Sequence, residues 1–273
     1  MKVVAVLLPV YHGDRVDYFK DSIDSLLSQS YFYLKVIVCQ DGPLGTDLQS
    51  LLLNYQQENT EKIVLLSNNH NRGLPFVLND GIQYCRENNI DFIARMDADD
   101  ISCLDRISNQ LNFLLANKNV DVVGGAIEEI DAQGFKRNKL VKYPITHDDC
   151  YNFFQKRDPL AHPAVMFRMS FFNKAGLYSE KHLKNQDTYL WYQGFLNGCQ
   201  FANLSKTVLL FRISDSFYNR RNGLARAKKM IRDRKKINKD LNYGVRANMY
   251  SLLMFLMTIS PSFLKKIAYK FFR

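Results

Sequence analysis

The chain has 273 residues, 47% of them hydrophobic, with 13 glycines and a formal net charge of +10. That length and apolar content suffice for one large α/β core and exclude a disordered or fibrous chain. Five scattered cysteines (Cys39, Cys85, Cys103, Cys150, Cys199) form no C-x-x-C pair, so reduced thiols are expected rather than zinc or a redox dithiol.

"VVAVLLP" at 3–9 is a short continuous apolar run, the pattern of a strand buried on both faces. It is too short for a signal peptide and lacks a small-residue cleavage site, so a cytosolic chain is expected. Val16, Phe19, Ile23, Leu26 and Leu27 then recur at helical spacing. "LKVIVCQ" (34–40) is a second strand and runs into the turn "DGPLG", which puts Asp41 at its carboxyl end. A helix near 46–58, a strand at 62–67, the loop "NNHNRG", a helix near 75–88 and a strand at 91–96 follow. Leu104, Ile107, Leu111, Leu114 and Leu115 predict a helix capped by Ser102 or Asp100, and "VDVVGGAI" (120–127) predicts a further strand.

Such alternation argues for a parallel sheet with helices on both faces. Ligands of these sheets bind outside the carboxyl ends of the strands, where the polar turns at Asp41, Asn71 and Asp97 to Asp100 all fall. No G-x-x-x-x-G-K-[ST] or G-x-G-x-x-G loop occurs, so ATPase and dinucleotide readings lose their usual support.

The stretch "ARMDADDIS" (94–102) concentrates carboxylates behind a buried strand of a basic chain. Carboxylates that close repel one another unless a cation or hydrogen-bond donors compensate. Capping a helix would use one of them. Asp97 and Asp99, flanking Ala98, form a D-x-D turn able to aim two carboxylates at one divalent ion.

With these residues in place, the chain resembles the family 2 glycosyltransferases, inverting GT-A-fold enzymes, above all the bacterial capsule, exopolysaccharide and lipopolysaccharide members. The matching pieces are "LLPVYHGD", "VCQDGPL", "NRGLPFVLNDGI", "ARMDADDISCLDRISNQ", "HPAVMFR", "NQDTYLW" and "LLFRISDS", in family order over about residues 1–216. The resemblance implies a GT-A, mostly parallel sheet flanked by helices and a UDP-sugar donor carrying a hexose or N-acetylhexosamine. It further implies that Pro9, Val10, Tyr11 and Asp41 cradle the uracil and that Asn71, Gly73 and Asn79 lie on the nucleotide side. Asp97 would face ribose and metal, Asp99 would bind Mn²⁺ or Mg²⁺, and Asp187 of "NQD" would be the catalytic base. Gln186 stands where the family usually has Glu, which removes one source of pKa elevation for Asp187. Asp187 could equally be the N-cap of a helix carrying Leu190, Trp191 and Phe195.

Arg95, His162 and Trp191 are candidate substrate contacts. Arg95 and Arg106 flank the acidic turn, to touch phosphate or to pair with Asp97, Asp100 or Asp105. His162 either approaches a sugar or is hydrogen-bonded in the core.

Between Arg220 and Lys239 lie ten basic residues and one acid, Asp233. No nucleic-acid-binding motif accompanies them, and an acidic turn would gain nothing from a phosphate backbone, so nucleic acid is not an expected partner. Residues 249–260 are too few to span a bilayer. In 262–273 an apolar half faces a basic half, predicting a helix on an anionic membrane surface or docked on the catalytic domain. The expected organisation is therefore a GT-A domain at 1–216 and a basic helical extension at 217–273, cytoplasmic and peripheral on the membrane's inner face, with a lipid-linked acceptor. Rival readings are a sugar-nucleotide pyrophosphorylase, weakened by the lack of a Gly-rich basic loop after strand one, and a basic binding protein with a vestigial site.

Overall fold

The computed structural model describes residues 2–213 and 224–260. The first half is an unbroken strand–helix alternation: β1 (Val4–Tyr11), α1 (Val16–Leu27), β2 (Leu34–Asp41), α2 (Thr46–Glu58), β3 (Ile63–Ser67), α3 (Leu74–Glu87) and β4 (Phe92–Arg95). These four strands lie parallel in the order β3-β2-β1-β4. Alternate residues of β1 explain its continuous apolar run. Val4, Val6, Leu8 and Val10 face a core layer with Phe19, Ile23, Leu52 and Leu111, while Ala5 and Leu7 face a second layer with Val77, Ile82 and Trp191.

The second half breaks the parallel pattern. After β5 (Ile101–Ser102) and α4 (Arg106–Ala116) come β6 (Val122–Ile130), β7 (Lys136–Val141) and α5 (His147–Phe154). A short 3-10 turn (His162–Ala164), β8 (Met166–Arg168), α6 (Met169–Ala175), α7 (Gln186–Leu196) and β9 (Phe201–Arg212) follow. β8 runs antiparallel between β4 and β6, β9 runs parallel to β6, and β5 and β7 join at the margins. Finally α8 (Leu224–Asp240) and α9 (Val245–Ile259) pack as a pair, with Ile237 of α8 and Leu241 just after it in the second core layer. The cysteines are all free.

Two expected caps are corrected. α4 starts at Arg106, not near Leu104, because residues 101–102 are drawn out as β5 against Leu209 and Leu210 of β9. Neither Ser102 nor Asp100 caps it: Ser102 is in that strand, and Asp100 accepts the Arg212 backbone N–H at 2.9 Å. Likewise the N-cap of α7 is Asn185, in a left-handed conformation, and Asp187 lies inside the first turn. The basic amphipathic stretch 262–273, and Arg220 and Arg221 at the start of the charge run, lie outside the described residues.

Close contact between α3 and the sheet depends on Gly81. A Cβ there would stand 2.8 Å from Leu7 Cδ2 and 2.9 Å from Cys39 Sγ. Gly81→Val is therefore expected to cost about 1–3 kcal/mol by overpacking, read as a lower urea midpoint with an unchanged denaturant slope.

Candidate active site

The carboxyl ends of β1, β2 and β4 meet around a cavity of about 650 Å³. Pro9, Val10, Tyr11, Asp41, Asn71, Gly73, Asp97 and Asp99 all line it, as do Asp14, Leu183 and Lys184. Eight residues singled out from the sequence thus converge. Asp41 is nearly buried at the end of β2, where its carboxylate accepts the backbone N–H groups of Arg72 at 2.6 Å and Gly73 at 3.0 Å. A carboxylate has about four acceptor sites, so Asp41 can still accept from a ligand. The next residue must be glycine: Gly42 has φ of 82°, and a Cβ on it would strike the Asn71 backbone nitrogen at 2.6 Å.

After β4 the chain gathers Asp97, Asp99 and Asp100, whose carboxylate oxygens lie within 4.8 Å of one another. Burial, and then Asp99 and Asp97, push the Asp100 carboxyl well above the usual range. Its Oδ2 is buried with no partner among the described residues. A close set of hard oxygen donors with one buried oxygen unsatisfied suits a divalent cation such as Mn²⁺ or Mg²⁺. Three neighbours brace the turn. Arg95, almost wholly buried, pairs with Asp97, and Ser22 Oγ donates to the Asp97 carbonyl at 3.1 Å. From β9, Arg212 donates Nε to the Asp99 carbonyl at 2.9 Å and Nη2 to Asp21 at 2.8 Å, its guanidinium 4.2 Å from the Tyr18 ring centre.

Arg106 does not reach this turn's carboxylates. It is buried beneath, donating to the Arg95 carbonyl at 2.7 Å and to Gln110 Oε1 at 3.1 Å, and burial pushes its pKa down to about 10.

A second cavity of about 650 Å³ adjoins the first across Asp97 and Leu74 and is lined by Arg95, Asp158, His162, Gln186 and Asp187. Asp187 stands in the first turn of α7, where Oδ1 accepts the Thr188 N–H at 2.9 Å. Burial, followed by the neighbouring Asp158, pushes its carboxyl up to about 6, against the opposing pull of Arg95. The like charge that Gln186 fails to supply therefore comes from Asp158, 29 residues earlier in the chain. Asp158 is itself fixed, accepting from Thr188 Oγ1 at 2.8 Å and from Arg234 Nη2 of α8 at 3.3 Å. Arg234 is buried and also donates to the Phe154 carbonyl at 2.7 Å. A third cavity, about 480 Å³, opens on the far side of this turn between Asp187, Lys184, Met230 and Met254.

His162 borders the second cavity but is mostly enclosed, its Nε2 2.7 Å from the Tyr178 hydroxyl. Burial and the Arg95 guanidinium hold its pKa well below the ordinary value, leaving the ring neutral.

Two candidates are not at the cleft surface. Trp191 is fully buried, its ring centre 5.8 Å from that of Phe167 in a stacked pair, so it packs the core and touches no substrate. Asn79 spends its amide on the chain itself, donating Nδ2 to the Tyr178 carbonyl and accepting the Tyr178 N–H, both at 2.9 Å. It locks the loop before α7 instead of lining the nucleotide cavity. Sequence reading passed over Asp14, Asp158, Lys184 and Arg212. Of these, Asp14 and Arg212 sat inside the quoted motifs, whereas Asp158 lay in an uninterpreted stretch.

A family model described as "Glycosyl transferase family 2" matches residues 5–175. The amylovoran biosynthesis glycosyltransferase AmsE of Erwinia amylovora is 26% identical over 258 residues, 94% of each chain. An Escherichia coli protein named UDP-Gal:alpha-D-GlcNAc-diphosphoundecaprenol beta-1,3-galactosyltransferase is 26% identical, over 81% of this chain and 78% of that one. Among solved structures, the mannosyltransferase PcManGT from Pyrobaculum calidifontis, in complex with GDP-Man and Mn²⁺, superposes with a TM-score of 0.64. That match covers 98% of this chain and 79% of the other at 15% identity, which establishes the shared GT-A fold. With the family model covering well over half of its length, this chain belongs to glycosyl transferase family 2 and is a glycosyltransferase.

Proposed function

We propose that this chain is a metal-dependent, inverting transferase that moves a hexose or N-acetylhexosamine from a UDP-sugar to a hydroxyl of a lipid-linked surface-polysaccharide acceptor. The observation that carries the reading is the placement of Asp41, Asp97 and Asp99 in one cavity, with Asp100 buried against that pair, and of Arg95 and Asp187 in the adjoining cavity that Asp97 also lines. The names of two relatives support the product and substrate classes, one by amylovoran biosynthesis and the other by UDP-Gal and a diphosphoundecaprenol-linked sugar. Mn²⁺ in the mannosyltransferase complex supports the metal.

In this reading Pro9, Val10 and Tyr11 hold the uracil, with Asp41 accepting from its ring N–H and Asn71 and Gly73 closing that side. Asp97 and Asp99 would hold Mn²⁺ or Mg²⁺, which when bound neutralises charge developing on the departing diphosphate. Lys184, exposed on the same cavity, adds a mobile positive charge. Asp187 accepts the proton of the attacking acceptor hydroxyl, whose oxygen bonds the anomeric carbon as UDP leaves from the opposite face. One in-line displacement inverts the configuration. Arg95 and neutral His162 border the space for the transferred sugar. Residues 1–216 form the catalytic unit and 217–273 its basic extension, which works at the inner face of the cytoplasmic membrane.

Two variants test the assignments. Asp99→Asn should weaken Mn²⁺-dependent UDP binding in calorimetry, since a neutral amide is a poorer ligand for a hard dication; unchanged metal-dependent affinity would remove Asp99 from the site. Asp187→Asn should cut kcat by about 10²–10⁴-fold with little change in the donor's KM. Near-normal turnover from the folded variant would hand the proton to another group.

The pH profile separates Asp158 from a merely structural role. A base must be deprotonated, so kcat/KM should rise with pH through about 6 and level off above it, following the raised Asp187 carboxyl. Asp158→Asn removes the like charge, lowers that pKa, and should move the acidic limb to lower pH. A limb that stays where it is would show that Asp158 does not set the base.

A further inference from the structure

The last described helix leaves one side bare. α9 turns Ala247 and Ser251 toward α8, where Asn238 Nδ2 donates to Ser251 Oγ at 3.1 Å and to Asn248 Oδ1 at 3.0 Å. At about 100° per residue, Val245, Met249, Leu252, Leu253, Leu256 and Ile259 fall within an arc of about 120° on the opposite side. Every one of them is exposed, from 44% for Ile259 to 76% for Val245. Single exposed apolar residues are ordinary, but six in one stripe along a helix mark a contact surface.

The neighbouring helix supplies the charge. Lys228, Arg232, Lys235, Lys236 and Lys239 are exposed on α8, and their spacing puts them on one face. That face lies away from buried Ala227, Arg234, Ile237 and Leu241. An apolar stripe and a basic stripe thus run along two packed helices.

We propose that the α8–α9 hairpin is a docking surface for an anionic lipid bilayer, with the α9 stripe entering the headgroup boundary and the α8 cations meeting lipid phosphates. Charge selects this occupant. A second copy would bring two basic stripes together, and a neutral apolar partner would leave the cations without counter-charge. With 15 residues, α9 is about 22 Å long, short of the ~30 Å hydrocarbon core. No helix among the described residues is long and apolar enough to cross a membrane, so the hairpin lies on the surface. This surface is distinct from the stretch 262–273, on which the sequence alone placed membrane contact.

The site follows from where α9 sits. Met254 lines both cavities that contain Asp187, and Met257 and Thr258 each line one. Docking therefore brings the base-bearing cleft to the bilayer, where a lipid-carried acceptor can offer its sugar hydroxyl without leaving the membrane. This last step rests on the proposed function; the docking itself does not.

Sedimentation of the full chain with vesicles of phosphatidylcholine and phosphatidylglycerol, against phosphatidylcholine alone, tests the surface. Wild type should bind the anionic vesicles, and less tightly as salt is raised. Leu252→Glu with Leu256→Glu should lower the partition coefficient by about tenfold or more, while Lys235→Glu with Lys239→Glu should erase the preference for anionic lipid. UDP calorimetry and thermal melting on the same preparations serve as folding controls. Should the leucine pair fail to fold, the lysine pair decides, since its side chains are exposed. Wild type that ignores anionic vesicles, or variants that bind like wild type, overturn the proposal. So does a leucine pair that converts a dimer to a monomer without altering vesicle binding, which would give the face to a second copy. Vesicle binding without UDP binding would instead sink the proposed function and leave the docking surface standing.

Discussion

Three carboxylates held within 4.8 Å at the end of a buried strand are a repulsive arrangement, and much of the molecule is organised around keeping them there. Two guanidinium groups do this from different parts of the chain. Arg95 comes from β4 itself and is buried against Asp97, while Arg212 arrives from the last strand. Its backbone N–H donates to Asp100 Oδ1, its Nε donates to the Asp99 carbonyl, and its far end reaches Asp21 of α1. A surface ion pair contributes little on its own, but Arg212 is buried, and removing it would take a donor from the half-buried Asp99 and Ala132 carbonyls together.

That requirement accounts for the mixed sheet. An all-parallel arrangement would place the carboxyl ends of its strands beside Asp41 and Asp97 but would bring no second arm to the acidic turn. β9, parallel to β6 and capped by the two-residue β5, delivers Arg212 to the turn from the other side. The same irregular half orients α7 and hence Asp187. One half of the sheet positions a nucleotide-sized cavity, and the other positions a carboxylate of raised pKa beside it.

Much of this was legible in the sequence, for identifiable reasons. β1, β2 and β4 announce themselves as apolar runs because both faces are covered, and Asp41, Asp97 and Asp99 follow because polar residues at strand ends must face the cleft. What failed depended on distant partners. Asn79 looked like a ligand-side amide, but its partner is the backbone of Tyr178, 99 residues on. Trp191 belonged to a quoted motif, yet Phe167 and Phe201 enclose it. β5 is two residues long and exists only because β9 lies alongside, so propensity read its start as a helix cap. The apolar length of α9 was visible, but its exposure was not, because exposure depends on what fails to pack against it.

Gln186 shows how a local departure can be offset at a distance. Read along the chain, it strips Asp187 of its acidic neighbour; read in space, Asp158 restores a like charge from another segment. The two arrangements differ physically. A Glu in the next position of the same helical turn is tied to Asp187 by covalent geometry, whereas Asp158 is held by Thr188 of α7 and by buried Arg234 of α8. The raised pKa of the Asp187 carboxyl therefore depends on α8 being seated, because an unseated Arg234 would free Asp158 to swing toward water. α8 is also the helix on which α9 is packed. The helix pair that exposes an apolar and a basic stripe is thus mechanically continuous with the carboxylate pair at the cleft, through one buried guanidinium rather than a flexible linker.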